Sequence, residues 1–304
     1  MDKPYLELRT RNNFGDIITN YFDFLKLNFK SFVNLYLRYN AISIILTLVG
    51  SYLLVTGFMG LASRDFRFGI SAALDNDIYL IAGGLVLAVI LMVTTILNYS
   101  FSSVYVNEYV NNHGTVVSAN IWKAIKTNLG TIILFILMGI AIYLGYLVVT
   151  VILAFIPLLG MLVQYALNFT LNAFFGLSFM AIFNGNKSVG DAISEGWSFT
   201  ISNFVRTVFY GLVIGILNIM ITFLILSIPG FIIGIYMYFS VESQVDFATS
   251  TVATIIFTMG FAMFVLSFIF SQALTQVAYG ILFFNLHEER YNTYLRQRIE
   301  QIGT

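Results

Sequence analysis

The chain has 304 residues, of which 10% are charged, 59% hydrophobic and 16% aromatic, with a formal net charge of zero and no cysteine. A charged fraction this far below the ~25% usual in soluble domains reads as an integral membrane protein. The missing cysteines exclude disulfides, a thiolate nucleophile and a Cys-ligated metal, and balanced charge without a basic cluster gives nucleic acid no electrostatic attraction.

The opening MDKPYLELRTRNN carries charges and no apolar core, so a cleavable signal peptide is not expected and the first span serves as its own insertion signal. A spanning helix needs about 20 mostly apolar residues, and six runs qualify, near 39–62, 78–107, 129–156, 158–184, 204–227 and 249–286. Several exceed the need, which predicts tilt or extension beyond the bilayer. Pro157 in AFIPLLG and Pro229 in LSIPGFIIG predict breaks at tight turns, because proline lacks the donor that an uninterrupted helix requires. The run 230–241 is then too short to span and reads as a half-helix or an outer surface segment.

Orientation follows the distribution of Lys and Arg. With the N-terminus inside, the inner segments hold Lys3, Arg9, Arg11, Lys26, Lys30, Arg38, Lys123, Lys126, Lys187, Arg206, Arg290, Arg296 and Arg298, leaving only Arg64 and Arg67 outside. Both termini are therefore expected in the cytoplasm.

Three stretches align: DIITNYFDFLKLNF from Asp16, ANIWKAIKTNL from Ala119 and DAISEGWSFTISNF from Asp191. Asn28, Asn128 and Asn203 coincide, as do Phe22, Trp122 and Trp197, which include both tryptophans of the chain. In the first copy Phe14, Ile17, Ile18, Tyr21, Phe22, Leu25 and Phe29 oppose Asp16, Asn20, Asp23 and Lys30 at helical spacing. In the third, Val189, Ile193, Gly196 and Trp197 oppose Asp191, Ser194, Glu195 and Ser198, with Ser188 and Asp191 as a capping-box-like start. Such helices lie in the headgroup plane with an aromatic ring as anchor, or else pack on the protein's own base. LNYSFSSVY (97–105) also matches LNFTLNAFF (167–175) and, more loosely, QALTQVAY (272–279). The expected fold is all-α: a polytopic membrane protein of six transmembrane helices in three pseudo-repeats, each preceded by a cytoplasmic interfacial amphipathic helix. The whole is one membrane domain, with repeat 1 at 14–112, repeat 2 at 113–186, repeat 3 at 187–290, and a cytoplasmic tail at 291–304.

The second alignment places polar i, i+4 pairs in the even-numbered spans: Asn98 with Ser102, Asn168 with Asn172, and Gln272 with Gln276. Residues four apart share a helix face, and amides in a membrane need partners. These pairs either line a polar vestibule open to the cytoplasm or hydrogen-bond helix to helix, a contact worth about 0.6 kcal/mol on average. No Asp, Glu, Lys or Arg lies deep in a span, which argues against ion-coupled transport. The GxxxG matches at Gly211–Gly215 and Gly230–Gly234 read as close helix approaches.

Catalytic patterns fail. The sequons at Asn98 and Asn168 would lie in the bilayer; GNKS at 185–188 lacks the glycines of a phosphate-binding loop; HEER at 287–290 lacks the second histidine of a metalloprotease. His113 and His287 have no ligand neighbour at helical spacing and read as solvated. Asp75 with Asp77 and Glu288 with Glu289 need no active site, and no nucleophile elbow is present. No catalytic residue, metal or cofactor is expected.

The short aromatic helix before a span, as in DAISEGWSFTISNF, repeated through six spans and closed by VAYGILFFNLHEERY, resembles the membrane domain fused to some bacterial glycerophosphodiester phosphodiesterases. Related standalone membrane proteins of unassigned function are similar. The resemblance covers Phe14 to Arg290 and implies a module of the bacterial cytoplasmic (inner) membrane without an active site of its own, since catalysis in the fused enzymes belongs to a separate barrel. Two functions are thus expected to compete. One is a non-enzymatic accessory or scaffold subunit of a larger membrane assembly, in envelope biogenesis or protein export and insertion, with membrane lipids and other membrane proteins as partners. The other is a carrier or channel for a lipid or small amphiphile through the vestibule.

Overall fold

The computed structural model describes residues 5–62, 73–243 and 250–302, without the side chains of 73–76. Among them are nine helices and no strand: α1 (Phe14–Ala62), α2 (Ala73–Asn111), α3 (Ser118–Thr127), α4 (Leu129–Leu153), α5 (Leu159–Phe183), α6 (Val189–Ser202), α7 (Phe204–Glu242), α8 (Thr251–Tyr291) and α9 (Thr293–Ile302). Six of these, α1, α2, α4, α5, α7 and α8, are long and apolar enough to cross a membrane. The chain is an all-α, multi-pass membrane protein, and each span expected from the sequence corresponds to one of these helices, with the ends of 129–156, 158–184 and 249–286 differing by one to three residues. Lys3, Arg64, Arg67 and the side chain of Asp75 lie outside the described residues.

The break at Pro157 forms as expected. Leu158, at φ 61° and ψ −63°, closes a γ-turn in which the Leu159 amide donates to the Pro157 carbonyl at 2.7 Å. The break at Pro229 does not form: α7 runs through it without interruption, and residues 230–241 continue the span. Breaking the helix would leave several backbone groups unpaired in hydrocarbon, whereas keeping it forfeits one amide donor. Apolar side chains on both flanks, Ile228 and Ile232, line a cleft of about 290 Å³ with Ile255 and Met259.

The first amphipathic stretch is likewise no separate helix, because α1 is continuous for 49 residues. Its buried stripe, Ile17, Tyr21, Phe24, Asn28, Phe32, Tyr36 and Asn40, keeps helical spacing through Asn28, so nothing in the pattern favours a break. The stripe is rotated from the expected one: Phe24 is buried, while Phe22 and Phe29 are exposed. By contrast, Asn128 (φ −98°, ψ 11°) and Asn203 (φ −123°, ψ 34°) leave helical geometry and separate α3 from α4 and α6 from α7. The 291–304 tail contains α9.

The chain divides into two compact units. One consists of Met1–Leu35, Tyr99–Ile216 and Ala273–Thr304. Its core is aromatic: Phe24 meets Tyr109 edge-on at 4.8 Å, Phe32 meets Tyr105 at 5.2 Å, and Phe199 meets Phe283 at 5.6 Å. The fully buried Tyr210 hydroxyl donates to the Ala278 carbonyl at 3.0 Å, giving the ring's polar end a partner. Backbones touch where α6 crosses α5: a Cβ on Gly196 would stand 2.0 Å from Ser178 Oγ and 2.7 Å from its backbone nitrogen. Gly211 and Gly215 both approach Phe169, whereas Gly230 and Gly234 face open space.

The other unit comprises Tyr36–Asn98 and Leu217–Gln272. Here α1 and α2 close to backbone contact, with a Cβ on Gly83 falling 2.6 Å from the Leu54 nitrogen. Val55, Met59 and Ala253 form a small core flanked by Tyr236, Phe257 and Phe261.

Gly196→Ala should lower stability by about 1–3 kcal/mol, because the obstructing atoms include backbone and cannot swing aside. Gly145→Ala, where no heavy atom lies within 4 Å, should be neutral or stabilising by up to about 1 kcal/mol through helix propensity. Thermal unfolding in detergent micelles measures both.

Candidate functional site

The polar pairs separate into two kinds. In α2 and α8 they are bonded between helices, with Asn98, Ser102 and Gln276 buried and Gln272 partly buried. Asn98 Nδ2 donates to the Ile269 carbonyl at 2.9 Å, and the Thr95 hydroxyl lies 3.0 Å from Gln272 Oε1. Ser102 Oγ donates to the Ala273 carbonyl at 2.9 Å. Gln276 Nε2 reaches both Ser103 Oγ at 2.7 Å and the Gly176 carbonyl of α5 at 3.0 Å, so one amide ties three helices. Asn98, Ser102 and Gln276 have no solvent exposure.

Asn168 and Asn172 of α5 do not join them. Both are exposed, and Asn172 Nδ2 donates to Oδ1 and the carbonyl of Asn168 at 2.8 and 2.9 Å. Helical geometry sets them opposite the buried face of α5 formed by Thr170, Ala173, Phe174, Leu177 and Ala181.

The aromatic slots share one environment. Phe22, Trp122 and Trp197 are 48%, 44% and 53% exposed, with Lys126 Nζ 5.3 Å above the Trp122 ring and Trp197 edge-on to Phe174 at 5.7 Å. The aligned asparagines also share one bond, each donating its side-chain amide to the carbonyl four residues back: Asn28 to Phe24 at 3.0 Å, Asn128 to Ala124 at 3.0 Å, and Asn203 to Phe199 at 3.2 Å.

A cluster of ionisable groups was not legible in the sequence. Glu195, expected on the polar face of α6, is buried and pairs with Lys187 at 2.5 Å. The buried face of α6 is Val189, Ala192, Glu195, Gly196, Phe199 and Thr200, while Trp197 is exposed. Lys187 and Glu195 line a cavity of about 510 Å³ with His287, Tyr291, Thr293, Arg296, Gln297 and Glu300. His287 is half-buried rather than fully solvated, and its ring lies 4.7 Å from the Tyr291 ring, tilted by 53°. Glu288, also buried, accepts from the Tyr294 and Leu295 amides at 2.8 and 3.0 Å. It thereby caps the first turn of α9, satisfying donors that a helix start leaves open. The available signal was the acid preceding a short helix; the chain reversal that brings it onto those amides is a tertiary feature.

Among the described residues no group of three or more His, Asp or Glu is arranged to hold a metal ion. The arrangement joins helix to helix through buried amides and fixes α9 to the end of α8 through a carboxylate. No family model, curated protein or solved structure matches the chain.

Loss of stability should follow the bonds each amide makes. Gln276→Leu, losing two, should cost more than Asn98→Leu, losing one, at about 0.6 kcal/mol per bond; Asn172→Leu should leave the isolated chain's unfolding unchanged. Equal effects of all three on reversible unfolding in micelles would contradict this ordering. Lys187→Met should destabilise by about 1–3 kcal/mol, the partial exposure of Lys187 reducing the cost of stranding a buried charge. Adding Glu195→Gln should recover most of that loss, since the stranded carboxylate is then gone.

Proposed function

We propose that the chain is a non-enzymatic accessory or scaffold subunit of a larger assembly in the bacterial cytoplasmic membrane, serving envelope biogenesis or protein export and insertion. The observation that carries this reading is α9. None of its residues is buried, yet its root is held from several sides: by Glu288 on its first amides, by Arg11 bonded to Asn292, and by Arg9 at 4.8 Å over the Tyr294 ring. Leu295, Ile299 and Ile302 form an exposed stripe at i, i+4, i+7, and Arg9, Arg11 and Arg298 share its groove of about 450 Å³. A short helix fixed at one end and apolar along one side is preorganised for docking, which limits the entropy lost on association.

The amide nitrogens of Asn98 and Gln276 are committed to helix backbone and a neighbouring side chain, which favours a scaffold over a carrier, although Asn98 Oδ1 and Gln276 Oε1 are buried without a partner. Cytoplasmic termini rest on the Lys and Arg distribution, and the bacterial membrane rests on the family resemblance. The three-repeat plan is supported by the common bond of Asn28, Asn128 and Asn203 and the common exposure of Phe22, Trp122 and Trp197. The aromatic rings act as interfacial anchors in this plan.

Affinity purification in mild detergent should recover a stoichiometric membrane partner with the wild-type chain. Leu295→Glu with Ile299→Glu should lose it while shifting the chain's own stability by no more than about 0.5 kcal/mol. A wild-type chain that purifies alone, or a partner retained by the double variant, would remove the support that α9 gives.

A further inference from the structure

We propose that the outward face of α5 joins two copies of this chain side by side in the membrane. Asn168 and Asn172 are the tenth and fourteenth of the 25 residues of α5. At 1.5 Å per residue they lie within about 5 Å of the helix midpoint, well inside a hydrocarbon core about 30 Å thick. Asparagine is too short to reach the headgroups from there, so amide groups left outward are costly against lipid tails. The internal bond between the two side chains uses Asn172 Nδ2 and Asn168 Oδ1. Asn168 Nδ2 and Asn172 Oδ1 make no hydrogen bond with any described residue, leaving one donor group and one acceptor on the exposed face.

Sequence spacing around the pair is that of a helix–helix seam. Met161, Tyr165, Asn168 and Asn172 follow one another at intervals of four, three and four, and all are exposed. This alternation is the knobs-into-holes pattern, in which a polar residue fixes register and partner number, and amides draw spanning helices together. The occupant that matches is a second copy. Both copies insert with the same orientation, so their α5 helices run parallel and a two-fold axis brings each amide pair onto its equivalent. An amide both donates and accepts, so the same surface satisfies itself. The association requires only that α5 crosses the membrane and is independent of what α9 binds.

The absence of native cysteine allows a direct test in native membranes. Met161→Cys and Tyr165→Cys, each as a single variant, should form an oxidative cross-link at twice the 34.2 kDa chain mass. Val148→Cys, 62% exposed on α4, should remain monomeric. Adding Asn168→Leu and Asn172→Leu to Tyr165→Cys should weaken the dimer about tenfold, while the monomer's thermal unfolding stays unchanged. The proposal is overturned by the absence of a homodimer band, by equal cross-linking at Val148→Cys, by an adduct whose mass identifies a different protein, or by cross-linking indifferent to the leucine substitutions. The α9 variants leave all these outcomes untouched, so loss of a partner at α9 and loss of the α5 dimer are read separately.

Discussion

Hydrocarbon offers no water to take up a hydrogen bond, and most of this molecule follows from that condition. Backbone donors and acceptors must be satisfied within the segment that carries them, which leaves helix as the form for six long apolar runs. The same condition sorts the side chains. An amide within the bilayer stays costly unless it finds a partner, and the amide nitrogens of Asn98 and Gln276 find theirs on neighbouring helices. It also accounts for the straight passage of α7 through Pro229, where a single lost donor costs less than an opened turn.

Close packing supplies the rest of the cohesion. Lipid tails are as apolar as leucine, so apolar burial does little to hold spanning helices together, and backbone proximity has to contribute instead. Gly196 on Ser178 and Gly83 on Leu54 are such contacts, at distances that no side chain permits. In the unit built from Met1–Leu35, Tyr99–Ile216 and Ala273–Thr304, interlocking Phe and Tyr rings do comparable work through edge-to-face geometry.

The six spans could be read from the sequence because hydropathy acts locally; proline chemistry located the turn at Pro157 but not the course of α7 through Pro229, which the hydrocarbon surroundings decide. What stayed hidden depended on neighbours. The unbroken α1 is written in a stripe from Ile17 to Asn40, but a helical stripe states only that a face is buried, not which side of Phe22 turns inward. Glu195 has the composition of a solvated residue yet lies on the buried face of α6 with Val189, Ala192 and Phe199, where Lys187 pairs with its charge; composition alone puts it on the opposite face. The polar i, i+4 pairs were visible as such. Their division into interhelical bonds and an outward pair was not, since i, i+4 spacing places residues on a common face without specifying which face meets another helix.

The joint at Glu288 has a mechanical consequence. Its carboxylate sits on α8, its two acceptor bonds end on the first amides of α9, and only Asn292 separates the two helices. The direction in which α9 presents its exposed stripe is therefore set by the end of α8, through the Glu288 carboxylate as well as through the chain itself.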